Sequence, residues 1–245
     1  METVRNALDQ LSIDYDEEKI DKLLIFYNEI IESSKKFNLT ALKSWEEIRD
    51  SLFIRSMRYA NIINTKYSHR NFFGNKELKI MDLGTGAGIP SIPMKIFYPD
   101  MNLFLAESSQ KKCDFLNKIS EKLELKGIQV YNQRAEILGQ SKHRETFDLI
   151  LTRALAKLPT LAELTIPLLN IGGVVITAKG EYPIKEIEDS IFITKMLGVS
   201  KNITENIKIP KFLPEDNFII WEKTKISPRE YPRRDGMPKK KPIVK

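Results

Sequence analysis

KIMDLGTGAGIP, residues 79–90, is the stretch on which the reading of this chain turns. An apolar strand ending at Leu83 runs into Gly84, Gly86 and Gly88, and a helix is expected to begin near Pro90. Glycine in such a turn permits positive φ and lets a ligand lie against bare backbone, while the amides opening the next helix offer partial positive charge. Alone, the turn predicts a nucleotide-like ligand held close to main chain.

Its neighbours narrow the ligand. The spacing is G-x-G-x-G rather than the G-x-G-x-x-G of dinucleotide folds, and Asp82 stands two residues before the first glycine. A carboxylate beside the turn suits the cationic amino group of methionine and would repel a pyrophosphate, so the combination favours S-adenosylmethionine. The next apolar run ends in Ala106-Glu107, where a carboxylate can accept both ribose hydroxyls. Dinucleotide enzymes place an acid there too, so Glu107 does not separate the two cofactors. Asp82, Gly84, Gly86, Gly88 and Glu107 are the expected cofactor residues.

Outward from the turn, LKIMDLG, MNLFLAE, IQVYNQR, FDLILTR and GGVVITAKG are strand candidates separated by amphipathic segments. That rhythm predicts a parallel sheet with helices on both faces. EYPIKEIEDSIFITKMLG reads as a further helix, and the segments around Ile203–Ile209 and Asn217–Lys223 as closing antiparallel strands. Upstream, Ile20, Leu23, Leu24, Tyr27, Ile30 and Ile31 recur at helical spacing between Glu17 and Asn38. A second helix is expected from Ser44, with Glu47 in capping-box spacing, carrying Ile48, Leu52 and Met57 toward a core. SHRNFFGNKE then reads as a polar linker. The division expected is a helical N-terminal extension over 1–70, a methyltransferase domain over 71–226 and a basic tail over 227–245.

The single Cys113 cannot form an internal disulfide, and with His69 and His143 it falls short of a zinc ligand set, so neither disulfide nor metal is expected. No stretch approaches eighteen apolar residues and the N-terminus lacks an export pattern, which points to a cytoplasmic protein without membrane contact. Of the net charge of +6, five units sit between Arg229 and Lys245, where seven Lys/Arg face two Asp/Glu. Such a tail is suited to a polyanion.

KFNLTAL, DSL (Asp50–Leu52), DLGTGAGIP, ESSQKKCDFL, RAE (Arg134–Glu136), FDLILTRALAKLP, PLLNIGGVVITAKG and YPRRDGMPKKKP occur in this order along most of the chain. On these motifs the chain resembles the GidB/RsmG family, which methylates N7 of a guanine in the decoding-region loop of bacterial 16S rRNA. The resemblance implies an α/β, Rossmann-like class I S-adenosylmethionine-dependent methyltransferase with a mostly parallel seven-stranded sheet. It places further cofactor contacts on Ile89, Ala135, Glu136 and Arg153, besides Gly84. For Arg153 the alternatives are a phosphate, the target base or the cofactor carboxylate. The match of the tail, with its charge, implies RNA contacts at Arg229, Arg233, Arg234, Lys239, Lys240 and Lys241. Truncation after Ile226 is accordingly expected to weaken RNA binding and spare the cofactor. The implied partner is 16S rRNA or the small ribosomal subunit, and a monomer is the state expected of a one-domain RNA enzyme. Glu47, where the family usually has histidine, and Ser91, in place of a common glycine, depart from the pattern without touching the cofactor residues.

Guanine N7 carries a lone pair and no proton, so its methylation needs alignment rather than a general base, and no catalytic dyad is expected. The deep groove of duplex RNA hides N7, so the target base is expected in a loop or splayed outward. Tyr98, Phe147 and Trp221 lie in expected core elements and read as packing residues, as does Cys113. Lys111, Lys112, Lys118, Lys122 and Lys126 read equally well as a solvated helix side or an RNA face. Two rivals remain: a non-catalytic RNA-binding assembly factor with this fold, and a nicotinamide-dependent oxidoreductase.

Overall fold

The apolar run before the glycines is strand β1 (Lys79–Leu83), at the centre of the sheet in a computed structural model describing residues 1–180 and 182–244. Glu181, at the head of the segment read as a helix, and Lys245, which closes the tail, lie outside the described residues. Parallel strands β2 (Asn102–Glu107) and β4 (Phe147–Arg153) flank β1, with Met81 opposite Phe104 on one side and Ile150 on the other. Strand β3 (Ile128–Asn132) pairs with β2, and β5 (Leu169–Lys179) with β4, both parallel. The expected closing strands form an antiparallel pair, β6 (Val199–Ile207) and β7 (Asp216–Lys223), and β7 inserts next to β5. The order is β3-β2-β1-β4-β5-β7-β6. A doubly wound dinucleotide sheet runs 3-2-1-4-5-6, so the inserted antiparallel strand separates this chain from that architecture.

Successive residues of each central strand enter opposite layers. Ile80, Leu103, Leu105 and Leu149 face a core shared with α5 (Ser91–Phe97) and α6 (Gln110–Lys122). Met81, Phe104, Ile150 and Val175 face a second core with α8 (Leu158–Thr165) and α9 (Ile184–Met196). The first core also holds the N-terminal helices, through Val4, Leu8, Phe26, Ile30 and Phe53. Residues 1–70 thus complete one face of the sheet.

That layer comprises α1 (Glu2–Gln10), α2 (Glu17–Ser34), α3 (Trp45–Ile48), a π-helical stretch Arg49–Ile54 and α4 (Arg55–Lys66). Helix α2 starts at the expected residue, capped by Asp16, whose carboxylate accepts the Lys19 amide at 2.8 Å. The capping box expected at Ser44 is present, Ser44 accepting from the Glu47 amide and Glu47 from the Ser44 amide at 3.1 Å each. Helix α1 is absent from the sequence reading, although Val4, Ala7 and Leu8 carry its apolar spacing. The expected linker is pinned rather than loose: Phe72 is buried and Phe73 stacks on Tyr98 at 3.9 Å. Phe147 and Trp221 are core residues as read.

Three polar ties bind the layers. Burial pushes the Glu29 carboxyl upward, but Lys118 and Lys122 of α6 hold it below the usual carboxylate range. Those two lysines therefore anchor α6 to α2 while their side chains stay about half exposed. Asp216, at the start of β7, receives Arg55 and the fully buried Arg58 of α4, the latter at 2.7 Å. Tyr59 donates its hydroxyl to the Thr152 carbonyl at 2.7 Å and accepts the Ala178 amide at 3.0 Å, spanning β4 and β5. Among the described residues no helix is long and apolar enough to cross a membrane.

Candidate cofactor and substrate site

The parallel strands all end on one edge, where the order reverses between β1 and β4, the place where open α/β sheets bind ligands. There the glycine turn folds as expected. The Gly84 amide donates to the Ala106 carbonyl at 2.8 Å, and the Gly88 and Ile89 amides return to Thr85. Gly84 has φ +73°, and a Cβ there would come within 2.5 Å of Leu155, so no other residue fits without displacing the wall opposite. At Gly86 a Cβ would meet nothing within 4 Å: the turn is open on its ligand side.

Beyond the turn lies a cleft of about 370 Å³ lined by Gly84, Glu107, Glu136, Leu155, Gly236 and Lys239, among others. Glu107 accepts the Gly86 amide at 3.1 Å on one oxygen and the Ser109 amide at 2.9 Å on the other. Each carboxylate oxygen can accept a second hydrogen bond, so Glu107 holds the turn and still presents acceptors to the cleft. Ala135 and Glu136 open the short helix α7 (Ala135–Gly139), and Glu136 accepts the Gly236 amide at 3.0 Å.

A smaller pocket of about 250 Å³ adjoins the cleft, sharing Gly84 and Ala154, and is lined by Leu39, Thr40, Leu52, Ile89 and Arg153. Nη1 of Arg153 is buried with no hydrogen-bond partner among the described residues. Burial lowers the pKa of its guanidinium, against which nearby Tyr59, Asp216 and Asp82 act. A desolvated cation without a partner is costly in a ligand-free fold, and such groups concentrate at functional sites.

The family model for rRNA small subunit methyltransferase G (GidB) matches residues 19–211. The chain belongs to the GidB family. It is 33% identical over 246 residues to the ribosomal RNA small subunit methyltransferase G of Bacillus cytotoxicus, covering 100% of this chain and 99% of that one. It is 34% identical over 239 residues to the protein of that name from Oceanobacillus iheyensis, covering 97% of both. Among solved structures, the N-terminal domain of human METTL16, in complex with SAH, superimposes with a TM-score of 0.51 over 69% of this chain and 70% of that one. At 13% identity that likeness speaks for the fold alone, the class I methyltransferase fold.

Within this GidB-family chain, two expected site residues have other tasks. Asp82 does not reach the cleft. It is fully buried beneath the turn, its Oδ2 accepting the Thr85 hydroxyl at 2.7 Å and the Ser91 amide at 3.3 Å while Oδ1 has no partner among the described residues, so in the ligand-free fold the carboxylate shapes the turn. Arg233 does not point to RNA. Its amide and guanidinium hold the buried Glu163 of α8 through three bonds of 2.7–2.8 Å. A bidentate clamp on a buried carboxylate is structural. Arg229, Arg234, Lys239, Lys240 and Lys241 are exposed, as an RNA surface requires.

The tail is therefore not a free appendage. Gln140 donates to the Pro232 carbonyl at 2.6 Å, Thr160 to that of Pro238 at 3.1 Å, and Gly236 and Lys239 form part of the cleft wall. Truncation after Ile226 removes that wall, so the expectation that the cofactor would be spared is withdrawn. Sequence reasoning also missed Leu39, Thr40 and Tyr59. The first two sit in KFNLTAL, which marked the resemblance without a role, and Tyr59 shows only as one more apolar position of α4. Cys113 is packed as read, accepting from Asn132 at 3.2 Å.

Burial pushes the Asp82 carboxyl up to about 7; Thr85 and Ser91 draw it down, and Glu107 adds to the rise. Its folded pKa exceeds the unfolded value near 4, so its contribution to stability is complete below about pH 4 and is lost as pH rises through about 7. Relative to Asp82→Asn, the parent chain should lose on the order of 2–3 kcal/mol between pH 5 and pH 8. Equilibrium urea unfolding of both at the two pH values measures this, and a constant difference would rule it out.

Proposed function

We propose that this chain transfers a methyl group from S-adenosylmethionine to N7 of a guanine in the decoding-region loop of 16S rRNA. The observation that carries the reading is Arg153, a cation with a buried, unpartnered nitrogen at the junction of a nucleotide-sized cleft and a smaller second pocket. Family membership supports the rRNA substrate and the methyl donor. Bound in the cleft, S-adenosylmethionine supplies an electrophilic methyl group on a sulfonium. Gly84, Gly86, Gly88 and Ile89 would offer backbone to it, Glu107 would accept hydrogen bonds from the ribose hydroxyls, and Ala135 with Glu136 would meet the adenine. Arg153 would hold the methionine carboxylate. Leu39, Thr40 and Leu52 shape that pocket for the base.

N7 has no proton to remove, so these residues need only align the two reactants. Effective molarity from such positioning accounts for roughly 7–11 kcal/mol of barrier reduction. Arg229, Arg234 and Lys239–Lys241 meet the phosphates of rRNA or the small subunit, with the enzyme acting as a monomer in the cytoplasm. The test is a methyl-transfer assay with protein-free 16S rRNA, small-subunit particles and DNA, alongside thermal protection by cofactor. S-adenosylmethionine at a hundred times its Kd should stabilise by about 2.7 kcal/mol. Protection by a nicotinamide dinucleotide instead, or cofactor binding with no transfer to either RNA substrate, would return the reading to one of the two rivals.

A further inference from the structure

Between β6 and β7 the chain makes a loop, residues 208–215, that no cofactor or substrate assignment uses. The loop lies on the reactive edge of the sheet: Asn217, just after it, pairs with Lys179, the last residue of β5. Its inner side is braced from below. Arg58 donates to the Ile209 carbonyl at 2.8 Å and to the Pro214 carbonyl at 2.7 Å, gripping both ends, while Leu213 packs with Ala7 and Ile54. Its outer side is unusual for a braced loop. Phe212 is 50% exposed and Ile209 42%, with Lys208 and Lys211 exposed around them.

The loop is tied to the wall of the second pocket without lining it. Leu52, which lines that pocket, is one helical turn from Arg55, and Arg55 is paired with Asp216 at the foot of the loop. Arg55 and Arg58 are taken up by Asp216, and Lys208 pairs with Glu215 at 3.3 Å, which leaves the exposed Lys211 as the loop's cation without a carboxylate partner among the described residues. Unpaired nucleotides are recognised by a rigid aromatic ring beside basic side chains, since every base has a face to stack and every phosphate a charge. A loop already held in shape also forfeits little entropy when it binds.

We infer that loop 208–215 is a second RNA-contact surface, on which Phe212 stacks against a base near the target guanine and Lys211 meets an adjacent phosphate. With the tail on the other side of the cleft, it would give the RNA two banks. The inference rests on the rRNA reading above, and its test separates the two. Phe212→Ala and Lys211→Ala are assayed for S-adenosylhomocysteine binding, thermal unfolding, and steady-state methylation of protein-free 16S rRNA and of small-subunit particles. For Phe212→Ala, KM for protein-free rRNA should rise about five- to a hundredfold, the range set by loss of one stacked base, with unfolding and S-adenosylhomocysteine affinity unchanged. Phe212→Trp should restore it. Lys211→Ala should reduce the salt dependence of rRNA affinity by about one phosphate contact. An unchanged KM overturns the inference, and so does a rise confined to assembled particles, which would assign the loop to a ribosomal protein. A parent chain that fails to methylate either RNA overturns the reading beneath it.

Discussion

Arg153→Met is expected to slow methyl transfer by roughly ten- to a hundredfold below cofactor saturation while leaving the fold as stable as before, or more so. In the ligand-free protein the guanidinium has a buried nitrogen without a partner, so its removal strands no other group and relieves a desolvation cost. With the cofactor bound, the same cation would hold its carboxylate, and losing a hydrogen bond to a charged group costs about 1.5–3 kcal/mol, roughly ten- to a hundredfold in transfer rate below cofactor saturation. Arg153→Lys should not rescue, because a point charge on a flexible stem cannot reproduce a planar fork. Single-turnover methylation measured beside thermal unfolding checks both halves. A variant within tenfold of the parent rate, or one clearly less stable, would remove Arg153 from the site.

Asp216→Ala should have the largest effect on stability. The carboxylate takes Arg58, whose side chain is 0% exposed, and Arg55, whose side chain is 24% exposed. Burial lowers the Arg58 pKa and Asp216 pulls it back; without Asp216 the charge stays enclosed, with only the carbonyls of Ile209 and Pro214 for company. Removing one partner of a buried ion pair costs about 3–5 kcal/mol. Urea unfolding gives the number directly. A loss under about 1 kcal/mol would mean that carbonyl oxygens alone satisfy Arg58. Because Arg58 also grips both ends of loop 208–215, the surviving folded fraction should methylate rRNA with a raised KM.

The central architecture was legible because it is written in local patterns. The five parallel strands appear as apolar runs ending in a glycine or a charge, and Ser44 with Glu47 announces a helix start before any packing is known. What escaped depends on groups that meet only in three dimensions. The charge of the tail gives its sign but not its partner, so sequence alone offers Arg233 as a phosphate ligand, whereas the fold sets Glu163 against it. A signal existed: a lone carboxylate within LPTLAELT, an otherwise apolar helix, calls for a buried cation elsewhere. Asp82 is a ligand candidate in sequence for the same reason. Its position beside the turn is plain in sequence, but its facing into the fold is not.

Tyr59 carries a consequence for motion. Its hydroxyl stands between the Thr152 carbonyl and the Ala178 amide, immediately beneath Arg153, and the ring belongs to α4. Helix α4 cannot lift from the sheet without unpairing two backbone groups at the reactive edge. The helical layer and the reactive edge of the sheet thus open and close as one cooperative unit, and local unfolding that starts far from the glycine turn still reaches Arg153.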